Sequence, residues 1–213
     1  MNKKVFLFTV FAVFTTAAFA QGYRPATPEQ QKELTQNIAA ASKQMKTLQC
    51  DFVQKMTISI LADEMLSEGK LLFKQDDKLC WEYIKPYHYS FILNGNKVMI
   101  STDNNKDIID VNRNAVFKEI SKLIVSGVNG SGIFEEDKFT AKFNIGTQDY
   151  QVILTPKQRD LKQLFNSVTL TFNKTDHTVN TVEIKELSGD ATLITMKNKQ
   201  INREIDDEIF TVR

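Results

Sequence analysis

The apolar positions of this chain follow a helical period first and a strand period afterwards. The apolar residues that recur at spacings of four, three, four and three, and so form one helical stripe, are Leu34, Ile38, Ala41, Met45 and Leu48. Before this stripe, Thr27 is a good N-cap, Pro28 suits the first helical position, and Gln30 completes a capping box. The pattern predicts an amphipathic helix that packs on an apolar surface.

After Leu48 the period changes to two, which is typical of strands. Cys50, Phe52, Met56, Ile58 and Ile60 would face one side of the first strand. The Asn94-Gly95 pair favours a type I′ hairpin turn, because both central positions of that turn need a positive φ. The remaining predicted strands are residues 66–74, 78–84, 89–93, 97–101, 108–111, 139–145, 150–155, 165–172, 179–187 and 192–197.

Two segments break this run of strands. Apolar residues at helical spacing predict a short helix over residues 115–126, and three glycines within residues 127–132 predict a flexible loop after it. Residues 205–212 are expected to form a turn of helix that closes with a short strand. With tight turns between successive strands, the simplest architecture is α+β, with a single strongly curved antiparallel sheet.

The first twenty residues predict export from the cytoplasm. Lys3 and Lys4 precede an apolar run, and Ala18-Phe19-Ala20 matches a cleavage signal, so we expect a signal peptide cut after Ala20. An uncleaved anchor is disfavoured, because the apolar run is shorter than the roughly 20 residues that span a bilayer. The expected product is a single domain over residues 21–213, soluble in a bacterial periplasm.

Charge and chemistry narrow the class of protein. Without the signal peptide the chain carries 25 Lys and Arg against 26 Asp and Glu, a net charge of −1 with both signs interspersed, which argues against nucleic-acid binding. His88 and His177 have no second ligand at metal-binding spacing, and no nucleotide or hydrolase motif occurs. The sequence therefore predicts a protein that is not an enzyme and has no cofactor or metal.

Cys50 and Cys80 could form a disulfide or remain two buried thiols.

Motifs in order along the chain resemble those of the periplasmic lipoprotein carriers, the LolA-like family. The resemblance covers nearly the whole chain after the signal peptide, although no single motif is specific. The matching segments are Leu48-x-x-x-Phe52-x-Gln54-Lys55, Glu68-Gly69-Lys70-Leu71, Leu79-Cys80-Trp81, Pro86, Asn94-Gly95-Asn96-Lys97, Tyr150 through Lys157, and Ile209-Phe210.

The resemblance implies an open antiparallel half-barrel covered by lid helices, with an apolar cavity that binds the acyl chains of lipoproteins. It also implies an inner-membrane ABC exporter that loads the carrier, an outer-membrane acceptor that unloads it, and a monomer. Strand alternation and the predicted helix then supply the expected cavity residues, each of which could equally be plain core. They are Phe52, Met56, Leu79, Trp81, Tyr83, Phe91, Leu93, Phe117, Ile120 and Ile124.

One departure from the family concerns the closure of the lid. Family members carry Arg-Pro in the turn before the tryptophan strand, and the resemblance assigns that arginine to holding the lid shut. Here Gln75-Asp76 stands in its place, and Lys74 or Lys78 could replace only the charge of the arginine.

The same fold could also serve a carrier or sensor of another amphiphile, such as a glycolipid or phospholipid.

Overall fold

Alternating apolar and polar residues build twelve strands, and one long helix precedes most of them. The structure is a computed structural model that describes residues 22–60, 63–111, 125, 126, 128 and 137–213. The helices that lie wholly within these residues are α1 (Pro28–Gln44), α2 (Arg159–Leu164) and a 3-10 helix (Asp207–Phe210). Its strands are β1 (Arg24–Pro25), β2 (Thr47–Ile58), β3 (Asp63–Lys74), β4 (Lys78–Lys85), β5 (Tyr89–Asn94), β6 (Lys97–Thr102), β7 (Lys106–Asp110), β8 (Phe139–Ile145), β9 (Asp149–Pro156), β10 (Ser167–Asn173), β11 (Val179–Lys185) and β12 (Ala191–Ile201).

All twelve strands form one antiparallel sheet in the order β1-β8-β9-β10-β11-β12-β2-β3-β4-β5-β6-β7. Most neighbours follow one another in the chain, so hairpins account for most of the pairing. The sheet is open, with β1 and β7 as its edges. We call the end where β2 begins and β3 ends the base, and the end where β2 ends and β3 begins the rim.

The sheet curves around a single apolar core. Laid flat, twelve strands would span roughly 50 Å, since neighbouring strands lie about 4.8 Å apart. Yet buried apolar side chains from strands near both edges, such as Val98 of β6 and Phe143 of β8, belong to one connected cluster with Leu34 and Ile38 of α1. We call the face that carries this cluster the inner face. The open antiparallel half-barrel expected from the sequence is therefore the fold of this protein.

Helix α1 spans the half of the inner face that lies under β8 to β12 and β2. It begins beside β8, where the Ala26 amide donates to the Phe143 carbonyl at 3.0 Å, and it leads directly into β2. The 17 residues of α1 extend about 26 Å. The distance across the six strands from β8 to β2 is about 24 Å, so the helix is long enough to cross them. The expected N-terminus is confirmed, because Thr27, Pro28 and Gln30 form the capping box.

A second, smaller cluster covers the outer face of β3 to β5. Phe210 and Ile205 from the C-terminal segment pack with Cys80, and Leu72 and Ile92 are partly buried against them. The Asn94 side chain donates to the Phe210 carbonyl at 3.0 Å. The C-terminal segment, residues 203–213, therefore lies on the outside of the sheet.

The expected elements differ from the structure in a few places. The strand expected at 165–172 begins only at Ser167, because α2 precedes it and Phe165 follows the end of that helix. The turn of helix expected within 205–212 is present, but no strand follows it. The two-residue strand β1 and helix α2 were not predicted, since each is too short to show a period. Most of the helix expected at 115–126 lies outside the described residues; Val125, Ser126 and Val128 are helical, and Val128 falls within the predicted loop.

Candidate binding face

Burial on the inner face of β2 to β7 decreases from the base to the rim. On β3, the inner side chains run from Phe73 at 2% exposure and Leu71 at 0% to Met65 at 48%. On β6 they run from fully buried Val98 through half-buried Ile100 to exposed Thr102. The same order holds on β2, β4, β5 and β7. This half of the sheet is therefore closed at its base and open toward its rim.

Four aromatic side chains lie midway along this gradient. The ring of Phe52 is 5.1 Å from the rings of both Trp81 and Tyr83, measured between centroids. Phe91 is paired with Trp81 across β4 and β5. Aromatic rings present a large apolar area with little conformational entropy to lose on binding. We call these four residues, Phe52, Trp81, Tyr83 and Phe91, the aromatic belt.

Gly69 makes room for the aromatic belt. It lies on β3 between Phe52 of β2 and Tyr83 of β4. A Cβ atom at this position would meet the Phe52 ring at 2.5 Å and would also clash with the Glu82 carbonyl oxygen. The Phe52 ring therefore covers the glycine, and any side chain there would displace the belt.

Polar atoms accompany the belt on its rim side. The Tyr83 hydroxyl donates to Gln54 Oε1 at 2.8 Å and so reaches across β3 to β2. Burial raises the pKa of Tyr83, and the neighbouring Tyr89 adds to the effect. The indole Nε1 of Trp81 is buried and makes no hydrogen bond of good geometry to a described residue. It nevertheless lies close enough to the Tyr83 hydroxyl to lower the pKa of that group slightly.

The expected cavity residues divide into three sets. Phe52, Trp81, Tyr83 and Phe91 meet in the belt, and Met56 lies on the same face nearer the rim. Leu79 and Leu93 lie on that face too, but at 0% and 2% exposure they belong to its closed base. The expected lid residues Phe117, Ile120 and Ile124 lie outside the described residues. Sequence reasoning missed Ile100 and Ile109, which continue the inner face on β6 and β7; strand alternation could have found both.

The turn that replaces the family's Arg-Pro is tied to α1. The Gln75 side chain donates to the Lys43 carbonyl at 3.3 Å, in the last turn of the helix. Lys74 and Lys78 point to the outer face, where both pair with Asp207 at 3.0 and 2.8 Å. The two lysines, by donating hydrogen bonds, lower the pKa of Asp207. Lys74 and Lys78 therefore clamp the C-terminal segment and do not reach the inner face.

A groove of about 780 Å³ lies beside this turn and is lined by charged residues of both signs, including Lys46, Asp76 and Arg203. Charged groups are costly to desolvate, so this groove does not suit an apolar ligand. The belt remains the better candidate for one.

The two cysteines lie on opposite faces of the sheet. Cys50 faces inward as the partner of Leu71, and Cys80 faces outward as the partner of Leu72. Both are free thiols. Burial raises the pKa of Cys50 to about 12 and that of Cys80 to about 11. The sheet therefore decides between the two alternatives left open by the sequence, in favour of two unreactive buried thiols.

Two further features bear on the chemistry of the protein. Across the described ranges, no three His, Cys, Asp or Glu side chains are grouped so that they could hold a metal ion. None of the helices in the described part of the chain is both long enough and apolar enough to cross a membrane.

The chain that forms the open sheet and its aromatic belt matches a known family. The match covers residues 43–213, and the family is described as outer membrane lipoprotein carrier protein LolA. The chain belongs to this family. Membership in a family of carriers makes it a LolA-like binding protein and not an enzyme, as the sequence predicted.

Individual relatives are distant. An outer-membrane lipoprotein carrier protein of Chromohalobacter salexigens is 22% identical over 187 residues, which cover 88% of this chain and 86% of the relative. An uncharacterized conserved protein of Thermus thermophilus has a similar solved structure, with a TM-score of 0.54 and 8% identity, covering 86% of this chain and 94% of that one. A chain of the Pseudomonas aeruginosa MucA/MucB complex gives a TM-score of 0.50 and 11% identity, covering 85% of this chain and 60% of that one. The two structures show a shared fold.

Proposed function

We propose that this protein is a periplasmic chaperone that binds the acyl chains of lipoproteins against the inner face of β2 to β7 and carries them from the inner to the outer membrane. The observation that carries the proposal is the graded face: buried at the base, aromatic at mid-height and open toward the rim. Such a face can take an apolar chain from one end. Membership in the LolA family and the predicted signal peptide support the cargo and the compartment.

The physical need for a carrier follows from the size of the cargo. Burying one methylene group is worth about 0.8 kcal/mol. Three acyl chains carry on the order of 40 such groups, so exposing them to water would cost roughly 30 kcal/mol gross. A lipoprotein would not cross an aqueous compartment unaided.

Release must be downhill, because the sequence carries no nucleotide-binding motif that could drive it. The protein therefore passes its cargo to a partner with higher affinity. In this proposal an inner-membrane ABC exporter loads it, and an outer-membrane acceptor unloads it. No metal or cofactor takes part.

A charge placed in the aromatic belt tests the binding face. We expect Trp81→Glu to abolish the release of lipoproteins from spheroplasts into the soluble fraction, because a carboxylate would be buried against the acyl chains. The matched control is Leu193→Glu, which places the same charge on the outer face of β12, where Leu193 is 38% exposed. Both variants should unfold cooperatively in urea.

Three outcomes would overturn this assignment. If wild-type protein releases no lipoprotein and its depletion leaves lipoproteins correctly sorted, the carrier function is wrong. If Trp81→Glu loses its cooperative unfolding, Trp81 belongs to the structural core. If mass spectrometry finds a phospholipid or glycolipid in the purified protein in place of lipoprotein, the protein carries or senses another amphiphile.

A further inference from the structure

The inner face of β2 to β6 has the polarity profile of an amphiphile. Its base is apolar and closed by Leu79, Leu93 and Val98, each exposed by 2% or less. Hydrogen-bonding groups begin only at the belt, with Trp81, and continue toward the rim. Because the base is closed, a ligand that enters from the rim first meets buried side chains at the belt, where the hydrogen-bonding groups begin.

Two hydrogen-bond donors at the belt have no acceptor among the described residues. The first is Trp81 Nε1, which can only donate and is buried. The second is the amide nitrogen of Gln54, whose oxygen accepts from Tyr83 while its nitrogen makes no hydrogen bond to the described part of the chain. Indole N–H groups usually find a partner when they are buried, and a buried donor without one is destabilising. The Trp81 indole is therefore incomplete without an acceptor, and the Gln54 nitrogen would add a second donor.

The hydrocarbon part of a cargo cannot supply that acceptor. A methylene chain has no lone pair to offer, whereas the ester group that joins each chain to glycerol has a carbonyl oxygen with two. The Tyr83 hydroxyl oxygen could still accept a hydrogen bond while its hydrogen is donated to Gln54, but the indole N–H of Trp81 does not meet it with hydrogen-bond geometry.

We propose that Trp81 and Gln54, positioned by Tyr83, form a subsite that donates hydrogen bonds to an acyl-ester carbonyl of the cargo. The subsite places the ester linkage of the bound lipid at the belt. This inference rests on the proposed function and adds to it the recognition of the ester linkage.

A pair of synthetic ligands tests the subsite. One is a lipopeptide with an S-(dipalmitoylglyceryl)cysteine at its N-terminus, and the other is the matching dihexadecyl ether, which lacks both carbonyl oxygens. A neutral hydrogen bond has a modest net worth, so wild-type protein should bind the ester about three- to tenfold more tightly than the ether. Titration calorimetry in detergent below its micellar concentration would give both dissociation constants.

Variants then assign the preference to named groups. Trp81→Phe keeps an aromatic ring and removes the donor, so it should reduce binding of the ester to about the level of the ether and leave the ether unchanged. Gln54→Leu should act in the same direction. The control is Tyr150→Phe, which removes a hydroxyl from the inner face of β9, where Tyr150 stacks on His177; the preference for the ester should remain.

The ratio of the two affinities separates recognition from folding, because a variant that merely loosens the face weakens both ligands alike. Equal binding of ester and ether by the wild type would overturn the subsite and leave the carrier function standing. A preference that survives in both Trp81→Phe and Gln54→Leu would also overturn it. Failure of the wild type to bind either lipopeptide would overturn the proposed function itself.

Discussion

The two halves of the sheet share one fold and differ in what covers them. Under β8 to β12, the inner face stays covered toward the rim: α1 crosses it, and α2 closes the rim end, where Leu161 and Phe165 are buried and Phe165 stacks on Phe139 at 6.5 Å. Under the other strands, burial declines steadily toward the rim. The same alternation of apolar residues thus makes a core in one half and a candidate binding face in the other.

This difference separates stability from binding. Side chains of the covered half are buried whether or not a cargo is present. Belt residues such as Trp81 and Phe91 are only partly buried in the protein alone, so additional burial there becomes available to a ligand. Substitutions in the covered half should therefore lower the free energy of unfolding. Substitutions in the belt should lower the affinity for cargo.

Two phenylalanines test this separation most strongly. Phe172 on β10 is 0% exposed, so Phe172→Ala should lower the free energy of unfolding by about 3–5 kcal/mol. Phe91→Ala should lower it by roughly half of that or less, because Phe91 is only partly buried. Urea unfolding of the cargo-free protein measures both. Lipopeptide binding should weaken in Phe91→Ala alone, and equal losses of stability would abolish the distinction between the halves.

A smaller effect is expected where the belt itself is tightly packed. Gly69→Ala should lower the free energy of unfolding by about 1–3 kcal/mol, because the new methyl group displaces the Phe52 ring and the backbone at Glu82. It should also weaken lipopeptide binding. Ser90→Ala, on the outer face of β5 opposite Glu82, is the control and should change neither quantity appreciably. A fully stable, fully binding Gly69→Ala protein would show that the belt is not held in place by this glycine.

The smallest effect concerns the outer face of β3 to β5 and depends on pH. Lys74 and Lys78 lower the pKa of Asp207 in the folded protein. The ionised Asp207 side chain therefore stabilises the fold above the ordinary Asp pKa of about 4, and this stabilisation is lost as pH falls through the lowered pKa. Asp207→Asn should therefore be slightly less stable than the wild type at pH 7 and equal to it in strong acid.

Thermal unfolding of both proteins at several pH values measures this difference. Lipopeptide binding at pH 7 should be the same in both, because Asp207 clamps the outer face. A variant that bound less lipopeptide would link the C-terminal segment to the inner face and contradict the division of roles between them.

Much of the fold could be predicted because local patterns specify it. The capping box at Thr27 and Gln30 sets the start of α1, and the sequence pattern placed eleven strands, β2 to β12, to within about four residues. Of the candidate site, alternation supplied the belt residues, and the family resemblance included Leu79 and Trp81 in one matching segment. Neither could separate Leu79, at the closed base, from Trp81, because both lie on the same face of β4 and differ only in how far along it they stand.

The sequence by itself determined which residues share a face, since a strand's side chains alternate whatever the strand packs against. The tertiary structure decided what each face meets. It set Cys50 and Cys80 on opposite sides of the sheet and turned Lys74 and Lys78 to the outer face. It also brought Gln54 and Tyr83 together across β3. These outcomes depend on strand register and on the path of α1 and the C-terminal segment, which join residues far apart in the chain and leave no local period to detect.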